Sequence, residues 1–163
     1  MRLLLLVVLT CTGAYAQTLQ VDKIDVSDCG IYTAKVVGSV EAPNTALGTS
    51  QILNNISLAE TTRTIPAQIG VHFGFQYTLV GAPNGAVVAL HMVTIFPSPG
   101  LLNPAKQIPK MKDEYDHTVA IGKNNFHDYS FDNNWELVPG TWTFQIWYQG
   151  RKLAEQSFNV VRQ

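Results

Sequence analysis

The feature that most constrains this chain is the strict alternation in Val71-His72-Phe73-Gly74-Phe75-Gln76-Tyr77-Thr78-Leu79. Successive side chains of a strand point to opposite faces, so Val71, Phe73, Phe75, Tyr77 and Leu79 share one side while His72, Gly74, Gln76 and Thr78 share the other. On a helix the same apolar residues would be scattered around the circumference, with no single face to bury. As a strand they form a continuous apolar face, which needs a second apolar layer to cover it. The pattern returns in Trp142-Thr143-Phe144-Gln145-Ile146-Trp147-Tyr148, where Trp142, Phe144, Ile146 and Tyr148 form the inward set and Trp147 points outward beside Thr143 and Gln145.

Turn residues divide the chain into strands. The first strand ends in Gly81-Ala82-Pro83-Asn84-Gly85, a second runs from Ala86 to Phe96, and Pro97-Ser98-Pro99-Gly100 stops it, which predicts a hairpin. At the C-terminus Val138-Pro139-Gly140 leads into Thr141 to Tyr148, Gln149-Gly150 turns, and Lys152 to Val161 returns as a second hairpin. Further strands are expected over Asp22 to Val37, with Gly30 marking a bulge, over Gln51 to Thr64, and over Asp113 to Ile121 and Phe126 to Phe131, which Gly122-Lys123-Asn124-Asn125 separates. Only Leu58 to Thr62 and Lys110 to Tyr115 have helical character, and both are too short for a helix that packs a core. The fold class is therefore all-β, an antiparallel sandwich of about seven or eight strands. Its closing segment, Leu137 to Phe144 and then Leu153-Ala154 to Val160, resembles the final hairpin of immunoglobulin-like modules with Trp142 as core aromatic, an analogy of fold that conveys no function.

The first sixteen residues read differently. Arg2, the apolar run Leu3 to Leu9 and the closing Ala14-Tyr15-Ala16 have the order of a secretory signal peptide with cleavage after Ala16. The apolar run is about half of the ~20 residues that a spanning helix requires, and no later stretch approaches that length. Residues 17–163 are expected to form one domain, periplasmic or secreted. Loss of Arg2 moves the formal charge from −1 to about −2, and loss of Cys11 leaves Cys29 without a partner for an internal disulfide. Cys29 has no basic neighbour in sequence and reads as a small apolar side chain. A near-neutral chain with no Lys or Arg block lacks the electrostatic footprint of a nucleic-acid binder.

Few residues suggest chemistry. In Asp113-Glu114-Tyr115-Asp116-His117, the carboxylates and imidazole offer Asp113, Asp116 and His117 to a metal or hydrolytic site, but a strand puts Asp113 and His117 on one face and Asp116 on the other. His72, His91 and His127 are further ligand types at positions the sequence leaves open. The alternative is a solvated strand end in which these carboxylates pair with Lys110, Lys112 or backbone N–H groups. Asp132 and Glu136 flank Trp135, which is either an acid pair beside a sugar-stacking ring or an ordinary turn in Asp132-Asn133-Asn134. No G-x-S-x-G, H-E-x-x-H, C-x-x-C or phosphate-cradling glycine loop is present, and no cofactor is expected. The best binding argument is the outward Trp147, which either stacks on a partner or sugar ring with Gln145 and Gln149 supplying hydrogen bonds, or is covered by the long loop Pro97 to Pro109. That loop, with Leu101 and Leu102, and Trp135 complete the expected contact surface.

Segments along residues 21–161 also carry a family resemblance: Thr64-Ile65-Pro66-Ala67, Gly70 to Tyr77 followed by Gly81-Ala82-Pro83, the Phe96-Pro97 to Pro104 loop, Asp113-Glu114-Tyr115-Asp116, and Trp135 to Trp142 with the return Gly150-Arg151-Lys152-Leu153-Ala154. In these the chain resembles the bacterial domain of unknown function numbered 3859. The resemblance implies a small exported β-domain and supplies no activity, cofactor or catalytic residue. His91 and Cys29 lie outside those segments. The expected function is a non-catalytic module that binds a protein or a cell-envelope glycan. A metal-binding or metal-dependent hydrolytic protein and an architectural module of an envelope assembly are the alternatives. N-terminal sequencing of the protein recovered from a cell-envelope fraction of an expressing bacterium should begin at Gln17, and a product that retains Met1 would overturn the leader.

Overall fold

A computed structural model describes residues 18–162. The leader, its cleavage site and Cys11 lie outside them. Nine strands in two sheets, with one short 3-10 turn at Asn134–Glu136, make up the regular structure. The first sheet contains β1 (Gln20–Glu41), β2 (Thr49–Thr61), β4 (His72–Ala82) and β7 (Asn124–Ser130) in the order β2-β1-β4-β7. The second contains β3 (Thr64–Pro66), β5 (Val87–Ile95), β6 (Lys112–Ala120), β8 (Gly140–Tyr148) and β9 (Arg151–Val161) in the order β3-β9-β8-β5-β6. All pairings are antiparallel except β3 with β9. The strand count exceeds the expected number because Gln51 to Thr64 divides into β2 and the three-residue β3.

The two alternating segments behave as their periodicity demands. Phe73, Phe75, Tyr77 and Leu79 of β4 and Trp142, Phe144 and Ile146 of β8 are fully buried. They meet across the sandwich: the Phe73 ring lies 5.1 to 5.7 Å from those of Phe131, Trp142, Phe144 and Phe158. The Trp142 indole N–H, which burial would otherwise leave unsatisfied, donates to the Val138 carbonyl at 2.9 Å.

The C-terminal hairpin forms as expected. Gln149 and Gly150 both have positive φ, 48° and 77°, the two-residue turn whose twist matches paired strands. The other expected hairpin does not form. β4 pairs with β1 and β7, whereas β5 pairs with β6 and β8, so the Gly81–Gly85 turn carries the chain from one sheet to the other. The β6–β7 turn crosses back, and the two connections are tied together by Gly85 N–H to the Ile121 carbonyl and Gly122 N–H to the Leu79 carbonyl, at 2.9 and 2.8 Å. The turn residues report a reversal of direction but not the sheet in which the next strand finds its partner. Leu58 to Thr61 and most of Lys110 to Tyr115 are strand, their helical character overridden by pairing with β1 and β5. Gly30 is dictated by close approach, since a Cβ there would run into the Glu60 carbonyl oxygen, and the register shifts fall on either side of it, at Val26/Cys29 and Ile31/Tyr32.

β1 pairs with β4 only as far as Tyr32, and its remainder pairs with β2 alone as a two-stranded ribbon. The ribbon tip packs at the edge of the sandwich. Ala46 N–H donates to Asp113 at 2.6 Å, Glu114 N–H to the Asn44 carbonyl at 3.3 Å, and Asn103 Nδ2 to the Ala46 carbonyl at 3.0 Å. β6 and β7 are the neighbouring edge strands of the two sheets, and the ribbon closes the gap between them. Phe73→Ala should lower the unfolding free energy by about 3–5 kcal/mol in urea titration, because it opens a cavity where both sheets interlock. A loss under about 1 kcal/mol would show that the rings do not pack in this way.

Candidate functional site

A strip of polar side chains joined by hydrogen bonds and ion pairs lies on the outer face of the five-stranded sheet. Strand register arranges them in lateral rows. Lys152, Trp147, His91 and Asp116 stand side by side across β9, β8, β5 and β6, and Glu155, Gln145, Val93 and Glu114 form the next row. Paired residues on neighbouring strands share a face, so each row runs across one side of the sheet, with Val93 buried within the second.

Trp147 is half-buried. Its indole N–H donates to Gln145 Oε1 at 2.9 Å, and Lys152 Nζ sits 5.9 Å from its ring centroid, within cation–π range. Gln145 Nε2 in turn donates to Glu155 at 2.8 Å, which also receives Lys152 at 2.5 Å. Those two donors hold the Glu155 carboxyl below the usual carboxylate range. On the other side of Trp147, His91 Nδ1 lies 2.9 Å from Asp116 and Nε2 lies 3.8 Å from Glu114, which Lys112 also approaches at 2.7 Å. The ring is thus set in an ordered polar frame with hydrogen-bonding groups on both flanks.

The other expected contact residues do not join this strip. Gln149 is exposed in the β8–β9 turn. Leu101 is fully buried in the core and cannot form a contact surface, because its backbone bonds to Lys110 in both directions turn its side chain inward. Leu102 is exposed, but its loop leaves β5 beyond Ile95, and Ile95 pairs with Thr143 near the start of β8. The loop is therefore at the opposite end of the sandwich from the β8–β9 turn, about 25 Å away at strand rise, and it does not cover Trp147. Trp135 packs against the core in the turn before β8.

Asp113, Asp116 and His117 are not brought together. Asp113 faces inward and is buried, whereas Asp116 is exposed on the outer face with His91. His117 lies four residues further along on Asp113's face, at an exposed position where desolvation nonetheless pushes its pKa down. No group of three metal-ligating side chains forms among the described residues. Nor do Asp132 and Glu136 form a catalytic acid pair. Glu136 is fully buried and accepts from Tyr129 Oη, the Asp132 and Asn133 backbone N–H groups and Asn133 Nδ2, so its oxygens are committed to building the turn. Burial pushes its pKa up against those bonds. Cys29 lies 3.6 Å from an Arg63 nitrogen, but burial outweighs that cation and raises the thiol pKa. His127 is fully buried between Phe75 and Phe144, and its pKa is pushed down to about 3, so it is a neutral core residue.

Asp113 is the buried group with the strongest consequence. It borders a polar cleft of about 80 Å³ between the ribbon and the sandwich edge, together with Thr45, Thr94, Tyr115 and Asp128. That volume takes a few waters rather than an organic substrate. Burial pushes its carboxyl up to about 7, against the lowering effects of the Ala46 N–H and of Lys110 and Lys106, with Glu136 adding a smaller upward push.

Comparison with known proteins agrees with this architecture. A family model described as a domain of unknown function (DUF3859) matches residues 20–160. The crystal structure of an immunoglobulin-like protein from Pseudomonas aeruginosa superposes with a TM-score of 0.56 at 22% identity, covering 91% of this chain and 100% of that one. The fold is accordingly immunoglobulin-like. No curated protein matches the sequence.

A folded-state pKa near 7 against about 3.9 unfolded means that between pH 4 and 7 the folded protein holds a proton the unfolded chain has lost, so stability falls as pH rises through that window. Asp113→Asn keeps an oxygen for Ala46 and removes the titration. Thermal melts from pH 4 to 8 should show a smaller loss of Tm for the variant than for wild type, and parallel curves would refute the assignment.

Proposed function

Because the chain belongs to the DUF3859 family, whose description assigns no activity, its role has to be read from its own surface, and we propose that it is an exported, non-catalytic recognition module that binds a cell-envelope glycan. The recognition surface is the Trp147 row on the five-stranded sheet. The single observation that carries this reading is a half-buried indole held among polar side chains on the outer sheet face, its N–H fixed by Gln145, with Lys152 and Glu155 on one side and His91 and Asp116 on the other. A sugar ring offers an apolar C–H face to such an indole and hydroxyls to the flanking side chains, which act as both donors and acceptors. Export is supported by the leader pattern of residues 1–16. No helix among the described residues is long and apolar enough to cross a membrane.

A second reading, an architectural module, draws on one different observation: Val36, Val37, Val40 and Ile52, all on the ribbon, are about half exposed. Glycan-array screening of the mature protein separates the two. Wild type should retain a defined set of envelope glycans and Trp147→Ala should lose at least about 1.4 kcal/mol, or tenfold, in affinity for them while keeping its Tm. Equal binding by the two proteins, or none by either, would remove the Trp147 surface.

A further inference from the structure

The β6 edge has the features of a docking site for an extended chain. β6 pairs with β5 through nine consecutive residue pairs, Lys112 to Ala120, without a register shift, and among the described strands it has no neighbour on its other side. Glu114 N–H points away from β5, to the Asn44 carbonyl of the ribbon tip. Backbone groups of an antiparallel strand alternate in direction, so those of Asp116, Thr118 and Ala120 point the same way; the Ala120 carbonyl accepts from Lys123 N–H in the β6–β7 turn, whereas those of Asp116 and Thr118 have no backbone partner among the described residues. The ribbon therefore covers the start of this edge and the turn its end, and the stretch around Asp116 to Thr118 is open.

A groove of about 320 Å³ runs there between the ribbon and β6, within the range of ligand pockets. Val40, Ala42 and Pro43 give it an apolar wall, and Glu41, Glu114 and Asp116 put three carboxylates at its rim. The basic side chains near it are His117, which lines the groove, Lys112, paired with Glu114, and His91, beside Asp116 and Glu114, and of these Lys112 alone carries a fixed positive charge. The sign of this rim selects the occupant. A second copy of the chain would bring its own Glu114 and Asp116 to the same edge and be repelled, as charged edges normally repel like strands. A strand with Lys or Arg at alternate positions would meet complementary charge on one face and the free backbone groups at its own edge.

We infer that the open part of β6 takes an extended, Lys- or Arg-bearing segment of another protein, which adds to the five-stranded sheet as a further strand in the groove beside the ribbon. The inference does not rest on the Trp147 ring or on glycan binding, although Asp116 belongs both to the end of the Trp147 row and to this rim. The test uses the mature protein and a fluorescent peptide of alternating Lys and Thr. Anisotropy titration should show saturable binding, with backbone amide shifts concentrated in Asp116 to Ala120 by NMR. A peptide of equal charge with Pro at alternate positions should bind at least about tenfold more weakly, and Glu41→Lys combined with Asp116→Lys should weaken binding of the Lys-Thr peptide by at least as much. Trp147→Ala should leave it unchanged. Equal binding of the Pro peptide would reduce the effect to charge alone and overturn the inference, as would an absence of binding at about 1 mM or amide shifts confined to other strands.

Discussion

The structure depends on the interlock of two inward faces. Phe73 of the four-stranded sheet is ringed by Phe131, Trp142, Phe144 and Phe158, and Trp142 also meets Phe96 and Tyr129 at 4.9 Å each. Because side chains alternate strictly along a strand, fixing which residues of β4 and β8 point in also fixes which point out. A slip of one residue in β8 would bury Gln145 and Trp147 and expel Phe144. The polar frame around Trp147 is thus a consequence of core packing on the other side of the same strand, and it needs no special loop to hold it.

That dependence explains what the sequence could and could not convey. Period two marked the inward and outward sets of β4 and β8 correctly, including the outward Trp147, because each segment's own pattern determines them. It could not show that β5 lies beside β8, which is what places His91 next to Trp147 and Asp116 next to His91. Those neighbours come from topology, and the Gly81–Gly85 turn is compatible both with a hairpin and with the crossing that occurs. A Pro, Asn and Gly cluster encodes how sharply the chain turns, while the choice of partner strand is made by cores that form over long sequence separations.

The acidic residues illustrate the same limit from the other direction. Asp113 and Glu136 look in sequence like candidates for chemistry, since carboxylates near aromatics and histidines are common in sites. In the fold each is a buried acceptor that satisfies backbone N–H groups where regular pairing ends: Ala46 at the ribbon tip for Asp113, and Asp132 and Asn133 in the turn before β8 for Glu136. A buried backbone donor left without a partner is costly, and one side-chain carboxylate can serve several at once. Nothing in the local sequence distinguishes such a pin from a reactive acid, because the distinction rests on which distant N–H groups arrive within reach.

The outward charges are arranged differently, and this separates the two kinds of carboxylate physically. Glu155 and Glu114 are drawn below the ordinary carboxylate range, foremost by hydrogen bonds from Lys152 and Lys112, whereas Asp113 and Glu136 are driven up by burial. The surface set stays ionised at neutral pH and can present fixed charge to a partner. The interior set has its oxygens committed to backbone N–H groups, and burial works against its charge. The ribbon tip belongs to both regimes, since Ala46 hangs on a buried carboxyl while Glu41 and Asn44 border the groove beside β6. The Asp113 hydrogen bond therefore joins the closing ribbon to the first residues of the exposed edge, and the bonds from Glu114, Asn103 and Lys106 to the same ribbon tip hold it beside the groove.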